Sequence, residues 1–483
     1  MRIKIVLHYL GLLIATLGIF MLIPLGFSLF YREPDSLAFV ISMSLSIVPG
    51  LLLWRLTPIG EGRLSQREAI MLVAGGWILA SAFGTLPYAL AGTFPSYLDA
   101  YFETMSGFTT TGATVLASIE SQPHGILLWR SLTQWLGGMG IITLFVALFP
   151  MFGIGAAHLV EAEMPGPQAE RLTARFRDTA KTLWLLYFGF SVLEFISLWL
   201  AKMPVFDALA ITFSTMPTGG FTPTTASIGA YNNIFIEGII IFFMMAAGVN
   251  FGLYYFLLWK RQPGRLFSNS EFRLYITLLI GSSALIVLNL TMSMGLPIGE
   301  AFRYSSFQTV SIMTTTGFAT TDFNVWPAFA KSALFILMVI GASAGSTGGA
   351  LKVTRLLVLA KYAYRRLLLF FNPRAVIPLK VGGNTLSEGI VSGIIGMSIL
   401  YFAILIGGSL VMSALGLDQV TALSSVAATL GNVGPGLGLV GPTATYLWIP
   451  PLGKIVLIIC MLVGRLELFT VLVLLTPSFW KWR

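Results

Sequence analysis

The sequence predicts an all-α polytopic membrane protein in which two leading transmembrane helices precede four helix–pore-loop–helix repeats around a pseudo-fourfold pore. Three observations predict it. Of the 483 residues, 56% are hydrophobic and only 10% are charged, whereas a soluble domain carries about 25% charged residues. Apolar stretches of about 20 residues, enough to cross a bilayer, recur almost from end to end. A Thr/Gly-rich stretch also returns four times at near-constant spacing, and an internal repeat of this kind decides a fold. No polar segment is long enough for a separate soluble domain, so any cytosolic regulatory or nucleotide-binding domain is expected on another chain.

The net charge of +9 reads as topology and not as affinity for nucleic acid. Basic residues cluster at Arg2 and Lys4, at Arg55, Arg63 and Arg67, and at Arg171, Arg175, Arg177 and Lys181. Further clusters are Lys260, Arg261, Arg265 and Arg273, then Lys352 to Lys380, then Lys481 and Arg483. All but seven of the 29 basic residues thus fall at every second junction between spans. Lys and Arg gather on the cytoplasmic side, so both termini are expected inside, with membrane lipid as the surrounding partner. The apolar N-terminal run continues through Leu25 and Phe30 without a small-residue cleavage site and reads as a retained first span. Cys460 is the one cysteine, so no intrachain disulfide forms, and its apolar setting suggests a packed thiol. His8, His124 and His158 stand far apart and make no metal-ligand cluster.

Residues 1–60 hold the leading spans, roughly Ile3–Phe30 and Leu37–Trp54. The first repeat takes 61–155, a polar cytoplasmic connector 156–178, the second repeat 179–265, the third 266–380 and the fourth 381–483. Each repeat reads as a long apolar helix, a shorter helix, a Thr/Gly stretch and another long apolar helix.

The four stretches are Thr109-Thr110-Thr111-Gly112-Ala113-Thr114, Met216-Pro217-Thr218-Gly219-Gly220-Phe221, Thr314-Thr315-Thr316-Gly317-Phe318-Ala319 and Thr429-Leu430-Gly431-Asn432-Val433-Gly434. Taking Gly112, Gly219, Gly317 and Gly431 as equivalent gives steps of 107, 98 and 114 residues. Asp99, Asp207 and Asp418 lie 13, 12 and 13 residues before their glycines, where a carboxylate favours the N-terminus of a three-turn helix. In the third repeat the acid is Glu300, 17 residues before Gly317. Its short helix is therefore expected to start about one turn earlier.

A Thr/Gly loop cannot lie against lipid, because each unpaired backbone group in hydrocarbon costs several kcal/mol. A short helix that enters, a loop, and a return to the same side meet that rule, and the helix C-terminus then favours a cation. Glycine lets a carbonyl turn toward an axis with φ of either sign, and threonine adds a hydroxyl. Rings of such carbonyls replace the hydration shell of a weakly hydrated cation. Gly and Thr also serve at helix interfaces, but four such loops at this spacing are hard to obtain by packing alone. Thr110, Thr111 and Gly112, Thr218, Gly219 and Gly220, Thr315, Thr316 and Gly317, and Leu430, Gly431 and Asn432 form the candidate selectivity filter.

The marks Thr111-Gly112, Thr218-Gly219, Thr316-Gly317 and Leu430-Gly431-Asn432, with the two leading spans and an interrupted late helix, resemble the Trk/Ktr/HKT superfamily of cation transporters. The resemblance covers essentially the whole chain and is closest to the membrane subunit of bacterial Trk potassium-uptake systems. The two leading spans favour the Trk type over the shorter Ktr type. The resemblance implies potassium uptake across the bacterial inner membrane, with K+ as the transported ion and no cofactor. It places K+ at Thr111, Gly112, Thr218, Gly219, Thr316, Gly317, Leu430 and Gly431. It also implies a homodimer and a TrkA-like nucleotide-binding regulatory ring in the cytosol. Glycine in all four loops resembles the potassium-selective members, whereas sodium-passing relatives often carry serine in the first. The fourth loop departs from the pattern, with Leu430 before its glycine and Pro435 soon after, so good and not extreme selectivity is expected.

Between about Val325 and Tyr364 the chain carries Gly341-Ala342-Ser343-Ala344-Gly345-Ser346-Thr347-Gly348-Gly349. Four glycines in nine residues weaken a helix by about 1 kcal/mol each relative to Ala, so the stretch is expected to unwind. Its freed backbone groups need protein or water, which places it inside the conduction path, and the resemblance implies that Gly341, Gly345, Ser346, Thr347, Gly348 and Gly349 form the intramembrane gate below the filter; a close-packing surface of small residues is the alternative. Lys352 and Arg355 follow, placed to transmit force from a cytoplasmic partner. Arg465 and Glu467 lie deep in the last span, where a charge costs about 2.5–3.5 kcal/mol. Arg465 either faces the pore as a barrier working with the glycine loop or ties a helix end or carbonyl. Arg130, Glu237, Lys331 and Lys454, each early in a second helix, read as snorkelling or interface residues.

The basic runs Arg261–Arg273 and Arg365–Lys380 offer either a docking face for a regulator or topology charges only. An ion-coupled carrier of an organic solute also uses broken helices, but such proteins show two inverted repeats where this chain shows four parallel ones. An intramembrane enzyme is disfavoured, because the spans carry no cluster of His, Asp or Glu.

Overall fold

A computed structural model describes residues 2–58, 65–140 and 176–481. The connector expected at 156–178 lies outside the described residues, save for the start of the helix that opens at Phe176. The first span runs from Ile3 to Tyr31, and Ser36–Leu56 returns beside it. Each repeat opens on a long helix: Gln66–Gly84 continued by Leu86–Ala91, then Phe176–Leu200, Ser270–Met294 and Glu388–Ala414. These six elements are long and apolar enough to cross a membrane, among the described residues. Their outer faces are apolar and exposed, as at Leu45, Leu185, Ile280 and Ile399, as a lipid-facing surface requires.

A short helix follows in every repeat: Tyr97–Phe108, Val205–Thr215, Ile298–Met313 and Gln419–Leu430, of 12, 11, 16 and 12 residues. The third is longer by about one turn, as the position of Glu300 predicts. Ser96 Oγ caps the first by accepting from the Asp99 amide at 3.1 Å. Asp418 caps the fourth by accepting from the Thr421 amide at 3.1 Å. Each bond satisfies one of the amides that a helix start leaves unpaired. Pro204 and Pro297 precede the second and third helices, whose first turns carry Asp207 and Glu300.

The second helices correct an expectation. None runs on as one straight helix: His124–Gly138, Ile234–Ala247, Ala328–Ile340 and Pro451–Arg465 stop after 15, 14, 13 and 15 residues, and the sequence predicts only the third break, at the glycine run. In the second repeat the chain turns by 98° into Phe251–Leu258, and in the fourth by 113° into Phe469–Leu475. Asn250 makes the first of these turns by capping the new helix through the Gly252 amide at 2.8 Å. Glu467 and Leu468 make the other with φ of 54° and 52°. In the third repeat residues 341–352 are non-helical between Ala328–Ile340 and Val353–Phe371. A two-stranded hairpin, Lys380–Val381 with Asn384–Thr385, leads into the fourth repeat. Cys460 is buried among apolar neighbours.

Candidate functional site

All four short helices end in the same way. The amides of Thr110, Thr218, Thr315 and Asn432 donate to the carbonyl three residues back. The amides of Thr111, Gly219, Thr316 and Val433 reach five residues back, at 2.8–2.9 Å. This paired closure is the Schellman ending of a helix, and it needs a left-handed residue after the last turn. That residue is Thr110 (φ 53°), Thr218 (57°), Thr315 (61°) and Asn432 (52°). Two residues on, each loop is left-handed again, at Gly112 (80°), Gly220 (80°), Gly317 (83°) and Gly434 (96°).

The backbone therefore sets a register that differs from letter matching. The equivalent glycines are Gly112, Gly220, Gly317 and Gly434, one residue later than expected in the second loop and three later in the fourth. Leu430 is the last residue of its helix, and Asn432 takes the place that threonine holds in the other loops. Three β-branched residues at positive φ are rare and cost about 1–3 kcal/mol each. Strain of this kind persists where a side chain is needed, and asparagine is the polar residue that tolerates the same conformation best.

The four loops close on one another. A side-chain carbon added to Gly112 would collide with the Gly219 carbonyl oxygen, and one on Gly220 with that of Thr316. On Gly317 it would meet the Val433 carbonyl, and on Gly434 the Thr111 carbonyl oxygen at 2.6 Å. The order of contacts runs first loop to second, second to third, third to fourth and fourth back to first. Each glycine is thus required twice, by its φ and by the neighbouring carbonyl. The same four glycines line one open cavity, together with Arg130 and Phe221.

The chemistry inside this ring alternates. In the first and third loops the hydroxyls of Thr109 and Thr111, and of Thr314 and Thr316, pair at 2.8 Å. The second and fourth have Pro217 and Gly219, and Gly431 and Val433, at those places. Asn432 joins the fourth loop to the first: its Nδ2 donates to Thr111 Oγ1 at 2.9 Å and to the Met461 carbonyl at 3.0 Å. Asn432 Oδ1 is buried and has no hydrogen-bond partner among the described residues.

Ion pairs brace the ring, so of the two readings of Arg130, Glu237 and Lys454, snorkelling or interface, the structure supports the interface one. Arg130 is 1% exposed. Its Nε donates to Glu103 Oε1 at 2.8 Å, one terminal nitrogen donates to the Thr222 carbonyl at 3.2 Å, and its guanidinium lies 4.1 Å from the Phe221 ring centroid. Glu103, fully buried, also accepts from Thr114 Oγ1 and the Val115 amide. Lys454 Nζ pairs with Asp99 at 2.5 Å and joins the fourth repeat to the first. Arg303 pairs with Glu237 at 2.7 Å and joins the third to the second. Lys331 donates to the Asn324 carbonyl at 3.1 Å. Glu103→Gln leaves Arg130 buried without a counter-charge, an error that costs about 3–5 kcal/mol. The thermal midpoint of the purified protein is expected to drop sharply, and an unchanged midpoint would contradict the brace.

On the same side, Glu120 accepts from both the amide and the hydroxyl of Thr225, each at 2.6 Å. The hydroxyl bond above all holds its carboxyl below the ordinary value of 4.5. A lowered folded value means that this tie is fully present above 4.5 and is lost as pH falls through the folded value. Glu120→Gln is expected to remove that part of the acid sensitivity in a pH series of thermal midpoints; an identical acid limb in both proteins would contradict it.

The non-helical stretch 341–352 packs against the loops at Thr315, Asn432 and Met216. The Gly349 amide donates to Thr315 Oγ1 at 2.8 Å, and a side chain on Gly349 would strike the Gly431 carbonyl. Thr347 Oγ1 donates to the carbonyls of Met216 at 3.0 Å and Ala247 at 3.2 Å. The Thr347 carbonyl accepts from Arg465 at 2.8 Å, and the other terminal nitrogen of Arg465 donates to Gly137 and Gly138, both at 2.7 Å. Arg465 is thus tied to carbonyls, and one of them belongs to the loop itself. Thr347 and Arg465 together join all four repeats. Glu271 Oε1 holds the loop from the other side through the amides of Ala344 at 2.6 Å and Thr354 at 3.2 Å. Lys352 Nζ donates to the Gly348 carbonyl, and Arg355 pairs with Glu467 at the last bend.

The sequence reading missed Glu103, Gln134 and Glu271. Their one signal is polarity within otherwise apolar or short helices.

Fold and site together define a multi-pass membrane transport protein built on four inward-folded loops of a single chain. Comparison with known proteins gives the family. A sequence profile of TrkH, described as cation transport protein, matches residues 35–482. The Trk system potassium uptake protein TrkH of Escherichia coli (strain K12) is 39% identical over 489 residues, covering 100% of both chains. The Trk system potassium uptake protein TrkI of Halomonas elongata is 34% identical, covering 99% of this chain and 96% of its own. The crystal structure of the potassium transporter TrkH from Vibrio parahaemolyticus superposes with a TM-score of 0.90 at 36% identity, covering 100% of both chains. The chain belongs to the TrkH family.

Proposed function

We infer that this chain carries K+ across the bacterial inner membrane through the ring of four loops, under the control of the glycine-rich stretch beneath it. The observation that carries the reading is the closed ring: each left-handed glycine abuts a carbonyl of the next loop, in order around all four. Strained threonines at three quarters and the unpartnered Oδ1 of Asn432 in the fourth add oxygens two residues before each ring glycine. The relatives described above are named for potassium uptake. The ion path then passes Gly112, Gly220, Gly317 and Gly434, the carbonyls of Thr111, Gly219, Thr316 and Val433, and the threonine level with Asn432.

In this reading Gly341 to Gly349 and Arg465 form the gate. Movement of the helix Val353–Phe371, joined to the last bend through Arg355 and Glu467, withdraws the loop. A TrkA-like cytosolic ring acting on the basic cytoplasmic surfaces, a homodimer of the chain and cytoplasmic termini complete the proposal. It divides the chain at the boundaries given above, around ring glycines 112, 220, 317 and 434. The test is Rb+ and Na+ flux into liposomes holding the purified protein. Rb+ uptake several-fold above Na+ uptake is expected. Equal flux of both cations, or none with a regulator present, would sink the filter assignment.

A further inference from the structure

The second quarter of the ring has a ring-forming carbonyl, that of Gly219, held by a side chain of another repeat. Gly219 stands where the first and third loops carry Thr111 and Thr316 and the fourth carries Val433. Pro217 removes the other half of the hydroxyl pair that braces those two threonine loops. The space beside Gly219 is filled by the side chain of Gln134, from the helix His124–Gly138. A carbon built on Gly219 would meet the Gln134 amide carbon, Oε1 at 2.6 Å and Nε2 at 2.8 Å.

Gln134 is fully buried and spends both ends of its amide on the second loop. Nε2 donates to the Gly219 carbonyl at 2.6 Å, and Oε1 accepts from the Phe221 amide at 3.1 Å. Only this orientation of the amide satisfies both bonds, since a carbonyl needs a donor and an N–H needs an acceptor. The two peptide groups flank Gly220. The Gly219 oxygen is also the atom against which Gly112 closes the ring. A single side chain of the first repeat therefore fixes the joint between the first and second loops.

We propose that Gln134 is a specificity-determining positioning residue whose Nε2 holds the Gly219 carbonyl at its place in the ring. The proposal rests on the ring being the selectivity filter. Cation discrimination by carbonyls depends on their number, spacing and freedom to move. A carbonyl tied by a short amide bond keeps its place when a smaller cation would draw it inward. Without the donor, the second quarter adapts to Na+ as readily as to K+. The other loops are held differently: the first and third carry hydroxyl pairs, while Asn432 and Tyr446 Oη, which donates to the Gly434 carbonyl at 2.7 Å, brace the fourth.

Two substitutions separate positioning from packing. Gln134→Glu keeps the shape and the acceptor for Phe221 but loses the donor; Gln134→Met keeps the length and loses both. Each is reconstituted beside the native protein and Gly317→Ser, and Rb+ and Na+ uptake are measured with thermal midpoints. In the Gln134 variants the Rb+ to Na+ uptake ratio is expected to fall about tenfold, a change of about 1.4 kcal/mol in differential binding, with Na+ uptake maintained or raised. A lowered thermal midpoint with the native uptake ratio, in whichever variant folds, would overturn the proposal, provided Gly317→Ser loses its preference. If Gly317→Ser also keeps the native ratio, the filter reading itself fails and Gln134 falls with it.

Discussion

Gly317→Ser is expected to abolish the preference for Rb+ over Na+ in reconstituted protein, with a fall of at least about tenfold for each 1.4 kcal/mol of lost differential binding. The expectation follows from two independent costs. A side chain at φ 83° pays about 1–2 kcal/mol for the left-handed conformation alone. The new carbon also falls on the Val433 carbonyl, a backbone atom that cannot step aside without moving the fourth loop. Overpacking of that sort costs about 1–3 kcal/mol more, and its relief displaces one of the oxygens that form the ring. The corrected register makes the result specific. Gly220→Ala and Gly434→Ala are expected to behave like Gly317→Ser, because their φ values are 80° and 96° and each abuts a neighbouring carbonyl. Gly431→Ala is expected to be milder, since Gly431 has φ of −81°, which alanine adopts, and its added carbon meets the Ala427 and Met338 carbonyls at 2.9 and 3.1 Å and no carbonyl of a neighbouring loop. Equal losses from Gly431→Ala and Gly434→Ala would contradict the register.

Removal of the Arg465 side chain is expected to produce the second large effect, a rise in basal flux of at least about tenfold with no regulator present. Arg465 makes three charge-assisted bonds to carbonyls, to Thr347, Gly137 and Gly138. Bonds to a charged group contribute about 1.5–3 kcal/mol each, so even partial loss exceeds the 1.4 kcal/mol that shifts a two-state equilibrium tenfold. Thr347 remains tied to Met216 and Ala247 through its hydroxyl, so Arg465→Ala combined with Thr347→Val is expected to leak more than either alone. Deletion of Gly345 to Gly349 removes the same obstruction. Flux from Arg465→Ala equal to or below that of the native protein would count against the glycine-rich stretch as the gate.

Much of this architecture was legible in the residues. The four repeats show in the Thr/Gly stretches, and the acid before each short helix marks its first turn. The extra turn of the third helix could be read from Glu300 alone. Four glycines in nine residues announced the unwound stretch, because backbone cost is local and adds up along the chain. What escaped depends on long-range geometry. Two glycines stand side by side at 219 and 220, and two stand three apart at 431 and 434. Only the hydrogen bonds that close each short helix decide which of them needs positive φ. The bends at Asn250 and at Glu467-Leu468 carry no proline, and the first shows locally only as Gly248 and Asn250, a stop and a cap too common to decide a bend. Arg130 and Lys454 looked like interface cations because their partners Glu103 and Asp99 lie 27 and 355 residues away in the chain. A buried charge announces that it has a partner but not where the partner is.

The repeats also differ in a way that a fourfold description hides. The first and third loops share Thr-Thr-Thr-Gly and its hydroxyl pair, whereas the second and fourth are braced by amides, Gln134 and Asn432. The ring is nearer to twofold than to fourfold in chemistry, although its backbone repeats four times. This alternation gives a physical reason to expect good and not extreme selectivity. The oxygens at unlike quarters are held with unlike stiffness, and a filter that discriminates sharply needs all of them held at once.

The central claim is that the cation passes through the ring closed by Gly112, Gly220, Gly317 and Gly434. Its most direct test is to locate Rb+ by anomalous scattering in crystals of the protein grown with Rb+ in place of K+. The expected result is anomalous density on the axis between the four loops, facing the carbonyls of Thr111, Gly219, Thr316 and Val433. Density elsewhere in the protein with an empty ring, in protein that carries Rb+ in liposomes, would contradict it.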